Sequence, residues 1–338
     1  MTSAAPWWLP GGHAQTIIPA LLGPAHALAW RRERWTLADG DFVDADWLDP
    51  PAISSASSAN AAAARCLVLF HGLEGSSGSH YARAFAAWAQ SHGWALVVPH
   101  FRGCSGELNR APRAYHSGDH AEIGALLAHA CQSAGVSRVV AVGVSLGGNA
   151  LLRWAAEAGS AATERVDAVA AICAPLDLAA SAGAISRGLG RWTYTPMFLR
   201  SMKPKALAKL AQYPGLFDAQ RLRSARTLGE FDDVFTAPLH GFADARDYWR
   251  RSSAKPHLHR IHVPTLVLNP LNDPFVPAAC LPKPMDVSSA VTLCQPRHGG
   301  HVGFPAARFP RDTQALPQAV MDWVGWAHLM GMARSRHG

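Results

Sequence analysis

The 338-residue chain has little charge: Asp, Glu, Lys and Arg make up 16% of it, against 49% apolar residues. Such a balance argues against global disorder and leaves ample material for a large core. Cysteine is sparse and scattered. The six thiols (Cys66, Cys104, Cys131, Cys173, Cys280, Cys294) form no C-x-x-C pair, and "RCLVLF" and "AAICAP" set theirs in apolar runs. That spacing argues against a disulfide framework and for a reducing compartment. Long hydrophobic runs are also missing. No stretch reaches the roughly eighteen uninterrupted apolar residues of a membrane span. The opening "MTSAAPWWLPGGHAQTIIPALLG" lacks a basic start and is interrupted by Pro and Gly, so no signal peptide is expected. A cytoplasmic location is the expectation.

Net charge is +7, yet the basic residues are dispersed, with no run beyond Arg31-Arg32 and Arg34. Without zinc-finger spacing, an RNP motif or a basic tail, nucleic-acid binding is not expected. There is no Walker A and no G-x-G-x-x-G, so no nucleotide cofactor is implied. Histidine is plentiful, and "HLHRIH" (His257, His259, His262) and "HSGDH" (His116, Asp119, His120) form local clusters. Neither has the H-E-x-x-H spacing or cysteine support of a zinc site, so no metal is expected.

What is present is an alternation of strand and helix patterns. "ERWTLADGDFVDADWL" reads as two strands joined at Asp39-Gly40, and "PAISSASSANAAAAR" as a low-complexity connection. Then "CLVLF", "WALVVPHF", "SRVVAVGV" and "VDAVAAICA" read as buried strands, separated by helical patterns such as "YARAFAAWAQSHG" and "HAEIGALLAHACQSAG". Strands without polar alternation, spaced by helices, specify a mostly parallel sheet covered on both faces: an α/β fold. The rhythm breaks from about Leu176 to Pro256 and resumes with "PTLVLN", "AVTLC" and a closing helix in "TQALPQAVMDWVGWAHLMG". The expectation is one domain, 1–338: an N-terminal extension 1–32, a core 33–175 and 257–338, and a helical cap inserted at about 176–256. Within the cap, "PKALAKLAQY" reads as a short helix opened by Pro204. Its lysines (Lys203, Lys205, Lys209, with Arg200 nearby) read as a solvated face, the alternative use being weak contact with an anionic membrane.

Between a strand and a helix lies Gly143-Val-Ser145-Leu-Gly147. A G-x-S-x-G there builds a sharp turn that lifts the serine hydroxyl above the sheet edge. A serine nucleophile needs a base, a group that orients the base, and donors for the oxyanion. Asp273 in "PLNDPFVP" follows one strand and a histidine of "RHGGHVGF" follows the next, the order Ser, Asp, His that this turn calls for. Asp177 of "CAPLDLAAS" is a rival acid, and either His298 or His301 can be the base. "LVLFHGLEG" sets Leu73 where its N–H, with that of Leu146, would face the oxyanion. His71 beside it reads as a hydrogen-bonded loop residue. A serine at this turn also excludes reactions that require a carboxylate nucleophile.

The segments "GGHAQTI", "HGLEGSSGSHYARAFA", "HFRGCSGELNRAPRAYHSGDHAEI", "GVSLGGNALLRW", "EFDDVFTAPLHGF" and "GGHVGF" together resemble the YheT-like branch of the α/β-hydrolases, the fourth family of AB-hydrolase-domain proteins. The resemblance runs from His13 to Phe304. It implies the α/β-hydrolase fold and a Ser-Asp-His triad, falling on Ser145, Asp273 and His301, which makes His298 a loop neighbour. His100 departs from the Asn expected before "FRGCSGE". The reading is a carboxylic ester hydrolase for short- to medium-chain acyl esters, with no cofactor. Alternatives are an acyltransferase using an alcohol or thiol, a phospholipase- or monoacylglycerol-lipase-like hydrolase, or a non-catalytic binding module.

Overall fold

The computed structural model of the chain describes residues 5–23, 28–50, 65–306 and 313–335. The low-complexity connection lies outside them except for Arg65. Eight strands form the sheet: β1 Arg31–Thr36, β2 Phe42–Leu48, β3 Cys66–Phe70, β4 Ala95–Pro99, β5 Val139–Val144, β6 Val166–Ile172, β7 Thr265–Leu268 and β8 Val291–Cys294. Their spatial order is β1-β2-β4-β3-β5-β6-β7-β8. The first hairpin pairs antiparallel, β2 runs antiparallel to β4, and every later pairing is parallel.

The parallel strands are apolar throughout because both faces are covered. Alternate residues feed two cores. Val68, Phe70, Ala141, Ala171 and Val267 belong to one, and Leu67, Leu69, Val142, Ala170 and Leu268 to the other. Burying a Leu or Phe side chain contributes about 1.5–3 kcal/mol. The flanking helices are α1 Gly11–Leu22, α2 His80–Ser91, α3 His120–Ala134 and α4 Leu146–Ala158. Helix α3 starts where Asp119 accepts the Glu122 N–H and stops at Gly135, whose φ of 65° is left-handed.

Between β6 and β7 the chain builds the cap from α5 Leu178–Ile185, α6 Gly188–Trp192, α7 Tyr194–Gln212, α8 Ala219–Ser224, α9 Leu228–Phe231, α10 Ala237–Leu239 and α11 Ala245–Ser252. A third apolar cluster, including Tyr194, Leu199, Phe231 and Phe275, joins the cap to the loop after β7. The closing helix is α12 Ala315–Ser335. No helix among the described residues is long and apolar enough to cross a membrane.

The cap corrects one expectation. The helix read as opening at Pro204 is α7, which begins ten residues earlier and keeps Pro204 inside it. Its lysines do not form a uniformly solvated face: Lys209 is buried, and Lys203 and Lys205 are partly exposed. Lys209 is 1% exposed and donates to the Asn109 carbonyl and Gln212. Lys203 donates to the carbonyls of Arg223 and Ala225, and Lys205 pairs with Glu74 at 2.8 Å. The physical reason is that a lysine stem is long and apolar enough to be buried while its head reaches a carbonyl.

Candidate active site

Register aligns the parallel strands so that their ends meet at one edge. Phe70 pairs with Gly143, Gly143 with Ala171, Ala171 with Val267, and Val267 with Leu293. The loops that leave this row carry His71 to Leu73, Ser145, Asp273 and His301. Ligand sites in open α/β sheets form at this carboxyl edge.

Ser145 sits at φ 53°, ψ −120° between β5 and α4. A side chain tolerates positive φ at a cost, held there by surrounding contacts. The holding contacts are its N–H to the Ile172 carbonyl at 2.8 Å and its carbonyl, which accepts from Gly148 and Asn149. Gly147 is obligatory: a Cβ there would lie 2.5 Å from the His71 carbonyl oxygen. Fully buried Asn149 then ties α4 outward, donating to the carbonyls of Ser117 and Ser252 and accepting from Ala254 N–H.

Ser145 Oγ lies 2.9 Å from His301 Nε2, and His301 Nδ1 lies 2.9 Å from Asp273 Oδ2. Asp273 Oδ1 accepts the N–H groups of Phe275 and Val276. The three residues expected together are therefore in one hydrogen-bonded line, with Asp273 and His301 buried. Of the two histidines in "RHGGHVGF", only His301 reaches Ser145; His298 is exposed. The rival Asp177 instead caps α5, accepting the Ala180 N–H.

A Cβ added to Gly72 would lie 3.1 Å from Ser145 Cβ, so the loop after β3 passes directly beside the serine. In that loop Gly72 N–H donates to Tyr81 and Glu74 N–H to the Tyr115 hydroxyl. The N–H groups of Leu73 and Leu146 have no protein acceptor among the described residues. His71 holds the loop: its Nδ1–H donates to the Gly72 carbonyl and its Nε2 accepts from Phe101 N–H. Burial, with His100 beside it, lowers its pKa to about 3, so it stays neutral. His100 itself is buried against Asp46 at 2.8 Å, one layer behind the loop.

The sequence reading missed α1. Gln15, 1% exposed, accepts from Gly299 N–H at 3.0 Å and Asn272 Nδ2 at 2.8 Å, and donates to the Leu9 carbonyl. Asn272 Oδ1 in turn accepts from Gly300 N–H, and Thr16 Oγ1 accepts from His301 N–H. The packing is backbone on backbone: a Cβ at Gly303 would fall 1.7 Å from the Gln15 carbonyl oxygen. The first helix thus braces both loops that carry Asp273 and His301. The available signal was the polar Gln-Thr pair inside the otherwise apolar "GGHAQTIIPALL".

Among the described residues, one group of three side chains is close enough to hold a metal ion: Cys173, Asp273 and His301. Its atoms are already engaged, since Cys173 Sγ accepts from Val302 N–H and the other two bond each other. Burial also pushes the Cys173 thiol well above its usual range, which disfavours the thiolate a metal requires. The "HSGDH" residues serve structure instead, with Asp119 capping α3 and paired with Arg113.

Beside Ser145 opens a cavity of about 100 Å³, lined chiefly by cap residues including Leu178, Ile185, Phe198 and Trp249. A pocket walled by an apolar cap, beside a serine and histidine at hydrogen-bond distance, is the arrangement of a hydrolase.

The chain belongs to the α/β-hydrolase family: the family model described as "alpha/beta hydrolase fold" matches residues 66–306. Within that family it is a YheT-like member. It is 40% identical, over 92% of its own length and 89% of the relative's, to the Escherichia coli (strain K12) protein named "Putative esterase YheT". The human protein named "Phospholipase ABHD3" is 25% identical over 94% of this chain and 77% of its own. Among solved structures, the DcsB complex with its substrate analogue overlays with a TM-score of 0.57, covering 89% of this chain and all of that one (100%). At 11% identity that is a likeness of fold alone.

Proposed function

We propose that the protein hydrolyses carboxylic esters of short- to medium-chain acids through an acyl-enzyme on Ser145. His301 Nε2 removes the Ser145 proton as Oγ attacks the carbonyl, and Asp273 keeps the Nδ1 proton in place and stabilises the imidazolium. The N–H groups of Leu73 and Leu146 receive the oxyanion; losing one such donor typically costs about 3 kcal/mol of transition-state stabilisation. His301 returns the proton to the departing alcohol, then activates the water that releases the acid. The observation that carries the reading is the unbroken line from Ser145 Oγ through His301 to Asp273. The apolar cap favours an aliphatic acyl chain.

The test is a stopped-flow burst with p-nitrophenyl butyrate. An initial release of p-nitrophenol equal to the enzyme concentration is expected; linear release from time zero, with no acyl-enzyme trapped by rapid acid quench, defeats the covalent route. The name of the human relative motivates a second reading, a lipid-active hydrolase, and the same assay with phospholipid and monoacylglycerol substrates weighs it. Adding alcohol distinguishes an acyltransferase, for which ester exchange would exceed hydrolysis.

Two substitutions probe the surroundings. His298→Ala is expected to keep most of the activity, since the exposed ring touches neither Ser145 nor Asp273. Gln15→Ala is expected to lower kcat by about ten- to a hundredfold with little change in KM, because a displacement of a reacting group by about 1 Å costs on that scale. An equal rise in KM would mean that Gln15 shapes the pocket rather than positioning the base.

A further inference from the structure

The pocket beside Ser145 has an apolar lining interrupted by a carboxylate. Asp232 opens a π-helical turn, Asp232–Thr236, between α9 and α10, and it lines the same cavity as Ser145 and His301. Turns of this kind concentrate at functional sites. Asp232 Oδ1 accepts from Thr236 Oγ1 at 2.6 Å and Oδ2 from Trp249 Nε1 at 2.9 Å. A carboxylate offers about four acceptor positions, so acceptor capacity remains on both oxygens. The residue is only partly buried as a whole, and its carboxylate forms no ion pair among the described residues. Its setting is nonetheless strongly desolvating: burial drives the carboxyl up to about 6.

A second group points the same way. Ser181 on α5 lines the cavity and is 4% exposed, and its hydroxyl has no hydrogen-bond partner. A buried hydroxyl left unpaired costs about 1–3 kcal/mol. A pocket for plain alkyl chains has no need of either group. A desolvated carboxylate lacking a cation disfavours an alkyl chain and rewards a donor.

We propose that Asp232 and Ser181 form a polar subsite in the ester pocket that receives a hydroxyl or amino group carried by the substrate away from its scissile carbonyl. The subsite rests on the acyl-ester reading above. A hydroxyl or ammonium would donate to Asp232, and Ser181, on the wall of the same cavity, would supply a second polar contact once a small rotation of its side chain turns the hydroxyl inward.

The test compares kcat/KM for p-nitrophenyl esters of C4 to C8 acids carrying a hydroxyl, an amino group or a methyl at successive carbons. Butyrate monoesters of diols, set against those of alkanols, cover the alcohol side. In the wild type at least one donor-bearing ester is expected to exceed its methyl counterpart by about tenfold or more, as sites built to bond a substrate hydroxyl discriminate strongly. That ratio is expected to fall to near one in Asp232→Asn and to shrink in Ser181→Ala. Because both esters are measured on one enzyme sample, the ratio is independent of how much active protein is present. Should Asp232→Asn not fold, the ratio in Ser181→Ala carries the test.

Methyl esters preferred at every position and on both sides would overturn the subsite, as would a donor preference unchanged in the variants. In either case the turnover of p-nitrophenyl butyrate still stands for the hydrolase reading. A wild type that turns over no ester removes both.

Discussion

Ser145→Ala is expected to lower kcat for p-nitrophenyl butyrate by about a millionfold, the scale seen when a nucleophile is removed from such a line. His301→Ala should lose a comparable amount, because Ser145 Oγ without an acceptor for its proton is a poor nucleophile. The informative measurement is the double variant. If Ser145 and His301 act as one unit, Ser145→Ala/His301→Ala falls no further than either single change. Additive losses would mean that the 2.9 Å contact between them is not the chemical step. Asp273→Asn is expected to lose about 10⁴-fold, since an amide does not hold the Nδ1 proton in the required tautomer. Residual activity in all three would come from the N–H groups of Leu73 and Leu146, which these changes leave in place.

The second large effect concerns stability. Asp41 is 1% exposed and accepts from Arg102, Asn109 and the N–H groups of Phe42, Arg110 and Ala111. Arg102 continues to Glu122 on α3 at 2.6 Å. Burial works against the charge on Asp41, but the bonds from Asn109 and the backbone N–H groups outweigh it and hold the carboxyl well below its usual range. Asp46 behaves alike: burial opposes, while His100, Arg32 and Ser77 prevail. Asp41→Ala takes one of three carboxylates from buried Arg102, which keeps Asp39 and Glu122, and strips Asn109 and the N–H groups of Arg110 and Ala111 of a buried acceptor, so about 3–5 kcal/mol of stability should be lost. Calorimetry should register this as a midpoint lowered by roughly 5 °C. The pH dependence has a definite sign. A carboxyl whose folded pKa is depressed stabilises the protein above its unfolded value, about 3.9, and that stability is lost as pH falls toward the folded value. The urea midpoint of the wild type should therefore drop steeply from about pH 5 to pH 3, and Asp41→Asn should flatten that slope. Equal slopes in the two proteins would count against the ionised network.

The parallel sheet was readable because its strands are uninterrupted apolar runs, a pattern that follows from burial on both faces. Ser145 and Asp273 were readable because each sits a fixed short distance past such a run. His301 was separated from His298 through the family resemblance; spacing left both open. The reach of α7 was hidden because Pro204 signals a helix start locally, whereas packing in the cap carries the helix through it. Lys209 was misread for a related reason: charge predicts exposure unless a distant carbonyl, here that of Asn109, is waiting. Gln15 was the hardest, since its acceptor role depends on Gly299, far along the chain, and no periodicity encodes such a partner.

That last contact has a consequence for synthesis. Gln15 and Thr16 meet Gly299 and His301 across separations of 284 and 285 residues. A chain emerging from the ribosome presents α1 well before its partners, which arrive in turn: Tyr194 of the cap, Asn272 after β7, and last the loop beyond β8. The Ser145 turn can form much earlier, from β3, β5 and α4. Contacts this distant in sequence close late, because the loop entropy is met before they contribute. An incomplete chain would thus carry a shaped serine turn with no base beside it, and the line from Ser145 to Asp273 would close only once the loop beyond β8 has been made.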